Sequence, residues 1–300
     1  MACNQLLRKD IVCGMTSAIL MALGAGVANA GVAVSAKAAE QNANRPAPYA
    51  ALTLGVAALT AAGVALIVRG VWADWRLWAF GIVLGSLYVC AIGGTLWANK
   101  MWPPSLVWST ANMAFLLPIL FSAVLLREPL RWIDLATVLG VGVMLAGLAT
   151  PAAGLETAAR SRAARWGALG TVFLTNGLLM FGFKLQSVLA PGASTSCLSA
   201  IIYGCGSVFA WGWYLGQRHT EVTHAELRWG ATAGVGTGMA ILALLHAMHL
   251  PAAVAFPLIQ GTSLVGGVAL CALIFHELWS WRKTGALALG IIAMLLAGIR

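Results

Sequence analysis

Charge is what this chain has least of. Only 9% of its 300 residues are Asp, Glu, Lys or Arg, against about 25% in a soluble domain. That is too little to cover a water-facing surface of this size, and it excludes a soluble globular body. Carboxylates are scarcest. The nine are Asp10, Glu40, Asp74, Glu128, Asp134, Glu156, Glu221, Glu226 and Glu277. All stand at or beyond the ends of apolar runs, which weighs against a mid-membrane acid as a proton or cation site. Closely spaced cysteines are missing too. Cys3, Cys13, Cys90, Cys197, Cys205 and Cys271 lie scattered without a C-x-x-C pair. They read as small apolar packing residues rather than a disulfide framework or metal site. Neither H-E-x-x-H nor G-x-S-x-G occurs, so two common routes to a membrane enzyme are closed. The net charge of +9 comes without a basic stripe interleaved with aromatics. No nucleic-acid partner, cofactor or metal is therefore expected, and the Lys and Arg residues between apolar runs meet lipid headgroups and water.

What is present is apolar length. Sixty per cent of residues are hydrophobic, and 34 are glycine, a residue that lets membrane helices approach closely. Ten runs reach roughly the 20 residues that cross a hydrocarbon core: 11–36, 49–68, 77–98, 105–126, 132–151, 166–190, 196–216, 229–250, 252–275 and 283–299. They are apolar all round, so they are neither surface helices nor barrel strands. Lipid cannot satisfy an open backbone, so they are helices. The expectation is an all-α integral membrane protein with ten transmembrane helices. Its partners are the lipid bilayer and a small-molecule substrate, and a homodimer is one assembly open to it.

The longest polar stretch, near Pro151 to Arg165, falls at the midpoint and predicts two units, 1–154 and 155–300. Three features recur across it. Ala123 to Glu128, followed by Trp132, matches Ala272 to Glu277, followed by Trp281, at an offset of 149. Pro103 matches Pro251 at 148. Asn29 and Lys37, eight residues apart, match Asn176 and Lys184 at 147. Five helices per copy is an odd number, so the second copy enters the membrane from the opposite side. That predicts two inverted-topology five-helix repeats, a design of secondary transporters that bind substrate near the midplane and open to either side in turn.

The segments LLREPLRW with MLAGLA, and LIFHELWSW with ALALGIIAMLLAG, resemble the ends of EamA-type repeats of the drug/metabolite transporter superfamily. The resemblance covers the whole chain as two copies. It implies the ten-helix fold and the transport class, but no substrate; the expected function is a secondary active transporter of small organic solutes, a metabolite, amino acid or drug, directed to export by alternating access. It also implies a multi-pass protein of the cell (inner) membrane with both termini cytoplasmic. Charge bias does not orient the chain, with eight basic residues on one side and ten on the other. Import of a neutral solute such as a sugar is the alternative within transport. An integral-membrane enzyme is the alternative of another class.

Polar residues inside the runs are the candidates for substrate contact. Lys184 could hold an anionic or zwitterionic group, or could snorkel to the interface, and Lys37 stands nearer its helix end. Asn29 and Asn176 could bind substrate from symmetry-related helices, or could bond between helices. Thr110 and Asn112 form one polar band, and Gln260, Thr262 and Ser263 a matching one. Tyr88, Trp97, Trp108 and Phe256 could supply aromatic walls, or pack. His246 and His249 share a helix face. His246 could sense protons, but no third ligand is placed to complete a metal site. Glu128 and Glu277 read as helix-start carboxylates beside Arg127, Arg131, Arg282 or Lys283. Finally, Ala28-Asn29-Ala30 has the form of a signal-peptide cleavage site. The apolar run continues to Ala36, longer than a signal's core, so it is read as part of a packed helix.

Overall fold

The computed structural model describes residues 2–42, 45–70, 75–99, 101–102, 104–148, 162–190, 192–217 and 221–275, with positions 281, 284–285, 288–289 and 291–292 beyond them. Among the described residues ten helices are laid down in order: α1 Ala2–Gln41, α2 Pro46–Ile67, α3 Trp75–Asn99, α4 Pro104–Met113, α5 Leu116–Leu125, α6 Trp132–Leu148, α7 Arg162–Leu189, α8 Thr195–Gly216, α9 His224–Ala247 and α10 Ala252–Phe275. Among the described residues no strand occurs. Seven helices among the described residues, α1, α2, α3, α7, α8, α9 and α10, are long and apolar enough to cross a membrane. The chain is thus an all-α, multi-pass membrane protein.

The ten helices are not the ten expected runs. The fourth run, 105–126, is divided between α4 and α5. The break falls at Ala114 and Phe115 because Pro118 has no N–H to give Ala114, and its ring crowds that carbonyl. The chain tightens there, with Phe115 N–H donating to Asn112 O at 3.3 Å and Leu117 N–H to Ala114 O at 3.1 Å. The last run, 283–299, lies largely outside the described residues. So do the 149–161 junction between the two expected units, Pro103, His276 and Glu277.

The helices close into a ring. Going round it, α1 packs on α9, α9 on α2, α2 on α8, α8 on α3, α3 on α7, α7 on α4 and α5, α5 on α10, and α10 on α1. α6 lies beside α4 and α10. Small residues set the seams. Gly81 meets Ile201 and Gly85 meets the carbonyl of Ile202, joining α3 to α8 in parallel. Gly230 meets Leu52 and Gly234 meets the carbonyl of Thr53, joining α9 to α2 in parallel. Adding 149 to Leu52, Thr53, Gly81 and Gly85 gives Ile201, Ile202, Gly230 and Gly234, so one seam is the sequence image of the other. Likewise Gly26 of α1 meets Ile259 and Thr262 of α10, while Gly177 of α7 meets Ala114 and Leu117.

Direction follows from these contacts. α1 runs parallel to α10, since Gly26 meets Thr262 and Ala30 meets Gly266. α7 runs antiparallel to α10, since Met180 meets Gln260 and Lys184 meets Leu250. α1 and α7 therefore run in opposite directions. The ring has two ends. At the near end α2, α5, α7 and α9 finish. At the far end α1, α3, α8 and α10 finish. The near end carries two non-glycine residues with left-handed backbone, Arg69 (φ 50) and Arg127 (φ 56). After Arg69 the chain folds back, with Gly70 N–H on Ala65 O at 2.8 Å and Arg69 N–H on Leu66 O at 3.2 Å, the double bond of a Schellman cap.

A Cβ at Gly234 would stand 2.7 Å from the Thr53 carbonyl, and one at Gly85 2.6 Å from that of Ile202. Backbone cannot yield as a flexible side chain can. Gly234→Val and Gly85→Val are each expected to cost roughly 1–3 kcal/mol, read as lower thermal stability of the purified protein in detergent. Gly204→Ala, with nothing within 4 Å, should leave stability unchanged or slightly raised.

Candidate functional site

The ring has an outside and an inside, and neighbours on each helix tell them apart. On α1, Leu20 and Val27 are exposed. Gly26 faces α10, and Ala28 and Val32 face Gly236 of α9. At 100° per residue, Asn29 falls on the arc between α9 and α10, toward the interior. It is half-buried. On α7, Leu174 and Leu178 are exposed, Thr171 and Thr175 face Gly94 of α3, and Gly177 faces Ala114. Asn176 and Met180 fall on the remaining arc, toward the interior. Asn176 Nδ2 donates to its own helix at Val172 O, 2.9 Å away. Gln260 of α10 reaches across, with Nε2 3.6 Å from Met180 Sδ.

The other side of the interior is aromatic. Tyr88 of α3 lies between the α8 and α7 seams and meets Tyr203 of α8 edge-on, with ring centroids 5.3 Å apart. Tyr203 is buried, and its hydroxyl donates to Thr237 O of α9 at 3.2 Å. Three helices are thereby joined through one ring pair. Sequence reading missed Tyr203. Its signal was a tyrosine in the middle of an apolar run, where a buried phenol must find an acceptor.

The remaining candidates make other contacts. Thr262 is packed in the α1–α10 seam against Gly26. Thr110 is half-buried, and Asn112 Nδ2 donates along its own helix to Trp108 O at 2.8 Å. Trp108 is 39% exposed. His246 and His249 are exposed at the near end of α9, off the interior. Among the described residues no three His, Cys, Asp or Glu side chains gather to hold a metal. Asn29, Tyr88, Asn176, Met180, Tyr203 and Gln260 form the interior polar and aromatic set. It carries amide, phenol and thioether groups and no charge.

Lys184 is buried at the near end with its donors engaged. Nζ lies 2.6 Å from Glu128 Oε1 and donates to the carbonyls of Leu250 at 2.9 Å and Met248 at 3.2 Å. Glu128 Oε2 accepts from Ala252 N–H at 2.9 Å, at the first residue of α10. Glu128 thus serves the α10 start and Lys184 rather than the neighbouring arginines expected from sequence. The left-handed turn at Arg127 lets it do so, as Glu128 N–H folds back onto Ser122 O at 3.2 Å. Lys37, the counterpart of Lys184, lies at the far end with its ammonium 5.2 Å above the Phe275 ring.

The far end has its own ties. Arg45 Nε pairs with Glu226 Oε1 at 2.9 Å, and Arg45 Nη2 also meets Glu226 Oε2 and the Glu221 carbonyl. Glu226 completes a capping box with Thr223 at the start of α9. Trp102 Nε1 donates to Arg165 O at 2.8 Å, while the Arg165 guanidinium lies 4.5 Å above the Trp102 ring. These contacts fasten the α3–α4 turn to the start of α7.

The fold and its uncharged interior define the class as a multi-pass helical membrane protein with a polar centre. No family model and no curated protein matches the chain. A solved structure described as "Crystal structure of protein" matches with a TM-score of 0.75 at 18% identity, over 94% of this chain and 98% of that one. At that identity the likeness speaks for the fold alone. It says that nearly the whole chain follows one architecture already seen in a crystal.

Tyr203 and Asn29 separate structural from binding roles. Tyr203→Phe removes the bond to Thr237 and is expected to cost about 1 kcal/mol of stability. Asn29→Ala removes no hydrogen bond to a described residue and should stay within about 0.5 kcal/mol of the parent. Thermal unfolding of both variants in one detergent checks the difference.

Proposed function

We propose that this chain is a secondary active transporter of small organic solutes, working by alternating access between two inverted five-helix repeats. The observation that carries the reading is the mirrored seam. Gly81 and Gly85 against Ile201 and Ile202 recur as Gly230 and Gly234 against Leu52 and Thr53. The ring supports it in the same way. α1 packs on α9 and α10 as α7 packs on α3 and on α4 with α5, and α2 on α9 as α8 on α3. First elements that run in opposite directions are what inverted topology requires. The resemblance to EamA-type members of the drug/metabolite transporter superfamily points the same way, and with it go export, the cell membrane and cytoplasmic termini.

The interior narrows the cargo. Amides and phenols offer donors and acceptors without net charge, and Lys184, outside this set, is held at the near end by Glu128 and two carbonyls. That suits a neutral or zwitterionic solute, such as an amino acid or a small polar metabolite. An enzyme would need a nucleophile with a base, or a metal centre, and the interior set contains no such pair.

Flux into proteoliposomes across an amino-acid, sugar and drug panel, with and without a pH gradient, tests the proposal. Uptake of a neutral or zwitterionic solute is expected, with Asn29→Ala and Asn176→Ala each lowering its rate roughly fivefold, the worth of one hydrogen bond of about 1 kcal/mol. No movement of any solute under any gradient, with turnover of a lipid instead, would remove transport as the function.

A further inference from the structure

We infer that the Lys184–Glu128 pair and its backbone partners are the gate that shuts the near end of the ring, and that this structure is the near-closed, far-open state. The inference rests on the transporter reading and adds which end is shut and by what. Its first ground is burial along one helix. From Ala252 to Gly261 every residue of α10 is buried, and from Thr262 onward most are half-buried or exposed. The near-end half of α10 is enclosed on all faces, while the far-end half is not.

The second ground is the comparison between repeats. α4 starts at the far end after Pro103 as α10 starts at the near end after Pro251, 148 residues later. Equivalent halves of a symmetric ring would be equally buried. Instead Trp108 of α4 is 39% exposed and its counterpart, Phe256 of α10, is 0% exposed. The two halves occupy the two different roles that alternating access demands of them.

The third ground is what joins α10 and the turn before it to α5 and α7. At the near end, Glu128 after α5 reaches Ala252 of α10, and Lys184 of α7 reaches Leu250 and Met248. At the far end, Trp102 and Arg165 tie the α4 start to α7, and Lys37 lies over Phe275, within the α1–α10 pair. The Trp102–Arg165 tie stays among α3, α4 and α7. Among the described residues no comparable packing joins α4 to α10. A charge pair suits a gate at a membrane end. It holds while dry, and both partners can be rehydrated when it opens.

Phe256→Cys is the reporter. Proteoliposomes are treated on both sides with a membrane-impermeant, water-soluble maleimide, and labelling is counted against the same protein without the Phe256→Cys change. In the parent the reporter should be protected. Removing both charges with Lys184→Met and Glu128→Gln together should raise its labelling rate roughly tenfold or more, the scale of a population shift of about 1.4 kcal/mol. Glu128→Gln alone keeps the side-chain shape and should raise it in the same direction. Lys37→Met, at the other end, should leave it protected. A reporter that labels fast in the parent overturns the proposal. So does one that stays protected in both gate variants, or one that Lys37→Met exposes equally. Labelling needs no substrate. A failed flux panel with the expected labelling therefore sinks only the transport reading, and flux with unchanged labelling sinks only the gate.

Discussion

Inside a bilayer an apolar side chain gains nothing by leaving lipid for protein. Helices cohere there only where their backbones come close enough for dense van der Waals contact and polar bonds between helices. Every parallel seam of this ring contains such a place. Gly26, Gly85, Gly177 and Gly234 each bring a helix within reach of a neighbouring carbonyl or side chain, with no room left for a Cβ. The 34 glycines are therefore not uniformly disposable. Those with a neighbour fix the ring order, while Gly24, Gly63 and Gly204 face open space.

A ring closed by close approach leaves its centre to other chemistry. Asn29, Asn176 and Gln260 bring amides inward, and Tyr88 with Tyr203 supplies an aromatic wall anchored on α9. Charge is kept to the ends. Lys184 with Glu128 and Arg45 with Glu226 are opposite-sign pairs at opposite ends, where desolvation is less costly than at the midplane. The two pairs do different things. Arg45 joins helices that already share a glycine seam, α2 and α9. Lys184 and Glu128 join α7 and the end of α5 to the start of α10.

Much of this was legible in the sequence because the bilayer imposes a simple rule. A run of about 20 apolar residues is a helix, and seven of the expected runs are span-length helices. The recurrence of Asn and Lys at a spacing of eight singled out α1 and α7, which the ring places in opposite directions. What was not legible depends on contact between distant residues. Pro118 lies in an apolar run like any other, and only the crowded Ala114 carbonyl makes it a break. Glu128 looked like a partner for adjacent arginines, yet a left-handed residue turns it toward Lys184, 56 positions away. Thr262 looked like cavity lining and is instead pressed against Gly26. The seam glycines could not be told from the rest, since what distinguishes Gly234 from Gly204 is the helix beside it.

The central claim is that the two ends of one helix ring open in turn. Paired spin labels measure it directly. One pair, at Asn42 and Met101, spans the far end, and another, at Arg131 and His249, spans the near end. Distance distributions in lipid nanodiscs should show two populations for each pair. Conditions that lengthen the near-end distance should shorten the far-end one. A single fixed distance at both ends, or two distances that lengthen together, would contradict the account.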